Sequence, residues 1–468
     1  RCIMMNKSIG ALISKGFSSS ISSGELPPSD HLTYEGVFNE LCFPVGPRAT
    51  KECELHIGFC RSQYVSSLVD AGVRDYLALF LKGSSDGQPR DSRVLNSVIV
   101  LDISGSMSGQ LTRKAQEGAP SRLALAKEAI SMFYGKLRDS DCFGLVVFDT
   151  SAKILVPCTR KGQLDAEHVF STINQIHTQG GTNLRCGFEA GTEALRTYFK
   201  SLAKDEQQCE NRLVMLTDVN DNMGVAEEFI RKVSEETIHT TIVGISEDFR
   251  SETCQRLSEI RGFNYFCATE NEDLKKHLFE NFDYTFFPAG YDISIEVESD
   301  NVQRLEVFGT PDKARVAAYN GNFADKERRS HVITRLKSSF PSELELREEQ
   351  VLTHGGLILV KLLPREERPS FTAVVSMTYV GVTGEKGKEE YKVAYELPEK
   401  EQFFTEESLY QAMQAYHFVN ELKHIIDSSK GASKEQKTRY LECIEQLKSI
   451  APKQKLDELT TFIAILQS

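Results

Sequence analysis

Between residues 93 and 287, apolar runs of strand length alternate with amphipathic runs of helix length, and this alternation constrains the fold more than any other feature of the chain. A strand buried on both faces must be apolar throughout, and a parallel neighbour has to be reached by a crossover, most simply a helix. Strands are expected over residues 96–101, 142–148, 212–217, 240–245 and 264–267, with a short edge at 152–156. Helices are expected over 121–137, 165–176, 183–202, 225–236, 251–260 and 272–281. In the first of these Leu123, Ala126, Ile130 and Phe133 recur at helical spacing, and Ser121 is placed as N-cap. The fold class read here is α/β, a doubly wound and mainly parallel sheet covered on both faces.

The pattern differs on either side. Residues 32–92 read as β structure, with Cys53, Leu55, Ile57 and Phe59 alternating against Glu52, Glu54, His56 and Gly58. Residues 288–400 alternate with the same period of two, between turns rich in Gly, Pro and charge. Strands from both sides would complete one β-sandwich, with the α/β domain inserted in one of its loops. Residues 401–468 turn helical, where Leu409, Met413, Tyr416, Val419 and Ile426 form a core-facing stripe. The Ser-rich segment 1–31 reads as a disordered leader, with an organelle transit peptide as the alternative.

A chain of 468 residues exceeds one core, so several domains are expected. The formal charge of -12 argues against a nucleic-acid partner, because that affinity rests on neutralising phosphates with Lys and Arg. No apolar run approaches the roughly 20 residues of a transmembrane helix. The 11 cysteines are scattered and include no C-x-x-C pair, which favours reduced thiols. A cytoplasmic location is therefore expected, with organelle targeting or secretion as alternatives.

The functional residues stand where the expected strands end. Val98–Leu101 runs into Asp102-Ile103-Ser104-Gly105-Ser106, and the apolar strand ending at Thr217 is followed by Asp218. Gly180-Gly181-Thr182-Asn183 precedes a helix and brings Thr182 to the same end. In an open α/β sheet the loops leaving the carboxyl ends of the strands bind ligands. Two carboxylates and three hydroxyls, with no Cys or His among them, suit a hard divalent cation: Mg2+, with Mn2+ and Ca2+ as alternatives. A cation between two aspartates also relieves their mutual repulsion.

The order D-x-S-x-S, then Thr in a G-G-T-N loop, then Asp after an apolar strand resembles the metal-ion-dependent adhesion site of the von Willebrand factor type A family. The five positions correspond to Asp102, Ser104, Ser106, Thr182 and Asp218. The resemblance implies that the serines and the threonine touch the ion, that the aspartates hold it through water, and that an Asp or Glu of a protein partner takes the open position. The layout of sandwich, inserted domain and terminal helices more loosely resembles inter-alpha-trypsin inhibitor heavy chains and bacterial proteins with the same domain. Two departures stand out: Val219-Asn220-Asp221-Asn222 follows where the family commonly has Gly, and the loop 108–120 is long, with Arg113 and Lys114. Those charges are either incidental to a solvated loop or favour an acidic partner.

Other motifs carry less. Asp218-x-Asn220-x-Asn222 lacks the Gly and Glu of an EF-hand loop. Cys53, His56 and Cys60 have zinc-ligand chemistry, yet strand alternation puts Cys53 on the opposite face. Ser201-x-x-Lys204 and Ser299-Asp300-Asn301 imitate β-lactamase motifs without a Lys-Thr-Gly, and no nucleophile elbow, H-E-x-x-H or Walker loop is present. The expected function is a non-enzymatic, metal-dependent protein-binding module for adhesion or scaffolding. The alternatives are an accessory subunit of an ATPase or other enzyme complex and an extracellular matrix or adhesion component.

Overall fold

The computed structural model describes residues 17, 20–21, 24–39, 41–64, 72–111, 118–202, 209–218, 223–245, 257, 259–268, 271–299, 302–310, 330–341, 344–347, 350–364, 370–396, 403–451 and 456–467. Arg113, Lys114 and residues 219–222, together with most of the expected helix 251–260, lie outside the described residues.

In chain order the elements are α1 (Tyr34–Asn39), β1 (Cys42–Pro44), β2 (Glu54–Tyr64), β3 (Gly72–Lys82), β4 (Val94–Asp102), α2 (Arg122–Lys136), β5 (Cys142–Phe148), β6 (Ala152–Arg160), α3 (Ala166–Asn174), α4 (Leu184–Ser201), β7 (Cys209–Thr217), α5 (Met223–Glu235), β8 (Ile238–Gly244), β9 (Asn264–Cys267), α6 (Asn271–Lys275) and α7 (Phe282–Phe286). They continue as β10 (Gly290–Ser299), β11 (Val302–Phe308), β12 (Ser330–Ser339), β13 (Leu344–Arg347), β14 (Gln350–His354), β15 (Leu357–Pro364), β16 (Ser370–Val380), β17 (Lys386–Glu396), β18 (Phe403–Phe404), α8 (Glu407–Ser429), α9 (Lys434–Leu447) and α10 (Leu456–Gln467). The chain divides into two compact units, Pro89–Pro288 and Arg1–Gln88 with Ala289–Ser468.

In the unit Pro89–Pro288 a six-stranded sheet runs β6-β5-β4-β7-β8-β9. Every pair is parallel except β5 with β6. The apolar strands are apolar because both faces are covered: every residue of β5 and β8 is buried. Helix α2 starts where expected, with the Ser121 hydroxyl accepting from Ala124 N–H at 3.2 Å, and buries Leu123, Ala126, Ile130 and Phe133. Helix α4 lies hard against the sheet, since a Cβ on Gly191 would come within 2.4 Å of Val100 and one on Gly187 within 2.7 Å of the Phe148 ring. That close approach sets the height of the loop preceding α4.

In the other unit, sheets of three, four and five strands are all antiparallel, in the orders β1-β14-β13, β12-β10-β16-β17 and β11-β15-β3-β2-β18. The period of two along β3 sorts its side chains between two cores. Leu77, Leu79 and Leu81 join Ile293, Ile295, Val375 and Met377 of the four-stranded sheet. Tyr76, Ala78 and Phe80 join Leu409, Met413, Tyr416 and Val419 of α8. No helix among the described residues is long and apolar enough to cross a membrane.

Several expectations are corrected. Residues 34–39, read as β, form helix α1, which buries Val37 and Phe38; six residues are too few for a periodic signal. Phe17 and Ile21 of the expected leader are helical and buried, Phe17 stacking on Phe462, and a spacing of four residues puts both side chains on one helix face. The edge strand β6 extends to Arg160, beyond the expected Val156, through two register shifts against β5. Those shifts bring Cys158 over Gly144 and beside Cys142, and Cys142 and Cys158 are joined by a disulfide, where the sequence favoured reduced thiols. Among the described residues Cys53, Cys60, Cys186, Cys209 and Cys443 form no disulfide. Cys53 and Cys60 enter different cores, as the alternation along β2 requires.

Candidate metal site

The site is built at the carboxyl ends of β4 and β7, adjacent parallel strands that deliver Asp102 and Asp218 to one rim. Asp102 is fully buried: its Oδ1 accepts from Ser104 N–H at 2.9 Å and its Oδ2 from the Thr217 hydroxyl at 2.6 Å. Burial pushes the Asp102 carboxyl above the usual carboxylate range, the hydrogen bonds from Thr217 and Ser104 pull it back, and the charge of Asp218 adds to the upward push.

From Asp102 the chain turns through a short 3-10 segment, Gly105–Ser108, anchored by the buried Met107. Ser104 Oγ and Ser106 Oγ lie 3.0 Å apart, and Ser106 Oγ donates to Asp218 Oδ1 at 2.9 Å. Asp218 Oδ2 accepts from Arg122 Nη1 at 2.6 Å. An ionised carboxylate only accepts, so the single Ser106 proton points to Asp218, and the proton in the Ser104–Ser106 contact comes from Ser104. Both hydroxyl protons are thus used within the protein, and the hydroxyl lone pairs left over are acceptors.

Thr182 reaches the rim on the loop ahead of α4. Gly180, at φ +68°, turns this loop so closely over Asp149 that a Cβ there would meet Asp149 Oδ2 at 2.5 Å. Gly105 N–H donates to Gly180 O at 3.2 Å, and Asn183 N–H to Asp149 O at 2.7 Å, which ties the loop to both β4 and β5. Of the five expected residues, four form one connected set: Asp102, Ser104, Ser106 and Asp218. Thr182 stands outside that set: the loop that carries it is tied down at Gly180 and Asn183, and among the described residues no hydrogen bond joins its side chain to the four. The side chains of Ser106 and Thr182 are exposed, so the rim opens to solvent.

Three contributors escaped the sequence reading: Thr217, Asp149 and Arg122. Asp149 follows the apolar strand β5 as Asp218 follows β7, a signal equally present in the sequence. Its carboxylate accepts from Ser151 N–H at 2.8 Å, which with the Ser151 and Thr150 hydroxyls holds it below the usual range; the Ser151 amide is the largest cause. No group of three or more His, Cys, Asp or Glu that could hold a metal ion converges among the described residues.

Residues 96–281 match the family model of the von Willebrand factor type A domain. This part of the chain is a von Willebrand factor type A domain. Domains of this family mediate protein–protein interaction and adhesion. Inter-alpha-trypsin inhibitor heavy chain H1 of Bos taurus is 31% identical over 147 residues, which are 30% of this chain and 14% of that relative's length. The solved structure of von Willebrand factor type A from Catenulispora acidiphila resembles 89% of this chain over 89% of its own, with a TM-score of 0.50 at 12% identity. The likeness of fold therefore extends past the α/β domain into the antiparallel sheets and terminal helices.

Proposed function

We propose that the von Willebrand factor type A domain is a non-enzymatic module that holds a divalent cation, Mg2+ or in its place Mn2+ or Ca2+, between Asp102, Ser104, Ser106, Thr182 and Asp218, and captures an Asp or Glu of a protein partner through it. The observation that carries this reading is the convergence of oxygen side chains at one rim: Ser104 Oγ lies 3.0 Å from Ser106 Oγ, which donates to Asp218 Oδ1 at 2.9 Å, and oxygen donors are the chemistry a hard cation takes. The buried charge of Asp102, whose cost appears as its raised pKa, is the kind that a cation offsets. When bound, the ion supplies Lewis-acidic attraction for a carboxylate.

The protein's own residues position that chemistry. Thr217 and the Ser104 amide fix the Asp102 carboxylate, Gly180 brings Thr182 over the rim, and the exposed Ser106 and Thr182 leave a partner room to approach. We read the surrounding sheets as a β-sandwich that the domain interrupts, supported by the pairing of β3, before it in the chain, with β15, after it.

The test is affinity capture from native lysate on the full chain, wild type against Asp102→Ala, in Mg2+ and in chelator. Partners that are held by the wild type in Mg2+ and lost both in chelator and on Asp102→Ala are expected. Capture that survives loss of the ion rejects the role.

A further inference from the structure

Asp218 is engaged on both carboxylate oxygens, one by Ser106 and the other by Arg122, and its side chain is 2% exposed. Arg122, the first residue of α2, is held in place: its Nε donates to Gln110 O at 3.0 Å and its backbone N–H to Gly109 O at 2.8 Å. A guanidinium does not lose its proton in a protein, so a fixed positive charge sits one hydrogen bond from a carboxylate of the candidate site. Asp102 and Asp218 contribute two negative charges, and Arg122 takes back one.

We infer that Arg122 is an internal counter-cation that neutralises Asp218 when no ion is bound and opposes the ion when one arrives, so that it sets the site's divalent-cation affinity. This rests on the cation reading of the site given above. Two adjacent aspartates with no counter-charge repel each other, so a metal-free rim needs such a charge nearby. The same charge repels a divalent ion and competes with it for Asp218 Oδ2. The loaded site then carries a net positive charge of one, where two uncompensated aspartates leave none, and that remainder is what a partner's carboxylate neutralises.

The experiment uses the chelator-stripped full chain, with Mg2+ and Mn2+ titrated calorimetrically into wild type, Arg122→Gln and Arg122→Lys, and thermal unfolding in chelator alongside. Arg122→Gln is expected to bind Mn2+ about tenfold more tightly and to melt lower in chelator, since both effects follow from one lost positive charge. Arg122→Lys keeps the charge without the Gln110 bond and is expected to stay close to wild type in ion affinity. Wild-type binding with no gain, or a loss, in Arg122→Gln overturns the role of Arg122 alone. An equal gain in Arg122→Lys also overturns it, because packing and not charge is then responsible. No heat of binding from any of the three proteins sinks the cation reading and this inference with it.

Discussion

Strand β7 has an acid–arginine pair at each end, and the two differ in how far they are closed off from solvent. At its start Glu210 pairs with Arg212, both essentially inaccessible, while His239 Nδ1 lies 2.8 Å from the same Glu210 oxygen. Arg212 reaches on to Thr241 Oγ1 and Gly262 O, each at 3.0 Å. At the far end Asp218 meets Arg122, whose side chain is 20% exposed, beside the open hydroxyls of Ser106 and Thr182. A charge enclosed by several fixed donors is a structural rivet, whereas a charge shared with solvent-facing acceptors can take a ligand. The carboxyl shifts follow the same division. Burial drives Glu210 up, but the charges of Arg212 and His239 and the His239 hydrogen bond outweigh it and leave it at about 2, while for Asp102 burial outweighs the hydrogen bonds from Thr217 and Ser104.

The largest effect is expected at the closed end. Glu210→Ala strands the Arg212 charge inside the sheet and should lower unfolding stability by about 3–5 kcal/mol in denaturant titration. A loss under 1 kcal/mol would make the two ends alike. Next comes Gly180→Ala, which places a methyl group against Asp149 at a positive φ; a loss of about 1–3 kcal/mol is expected. Ion affinity should fall with it, because the loop carrying Thr182 has to lift. Asp102→Asn is expected to act in the other direction in chelator, raising the melting temperature slightly while ending ion binding, since a buried uncompensated charge is removed. A lower melting temperature would show that Asp102 is structural.

Acid separates the ends by sign. Glu210 has a depressed pKa, so its contribution is complete above the ordinary value of 4.5 and is lost as pH falls through about 2. Asp102 has a raised pKa, so its burial costs stability at neutral pH, and the cost is relieved as pH falls through that raised value. Stability measured in chelator from pH 7 to pH 2 should therefore lose part of its acid-side decline in Glu210→Gln and steepen that decline in Asp102→Asn. Parallel curves for wild type and both variants would remove the contrast.

Much of this was legible in the chain before any coordinates. Strands buried on both faces announce themselves as unbroken apolar runs, and residues at their carboxyl ends inherit a shared rim, so Asp102, Ser104, Ser106 and Asp218 were found from local pattern and strand order alone. Helix α1, the two buried residues Phe17 and Ile21, and the junction of Cys142 with Cys158 were not, because each is a short segment whose conformation or partner is chosen by distant chain.

What the sequence determined by itself is the α/β fold and which acid and hydroxyl residues stand at the carboxyl ends of its strands, since both follow from periodicities of a few residues. Only the tertiary structure decided which charges balance which. Arg122 stands 96 positions from Asp218 and Thr217 stands 115 from Asp102, and nothing local marks either as a partner. Electrostatic pairing depends on distance in space and on exclusion of water, and neither quantity is written in the spacing of residues along a chain.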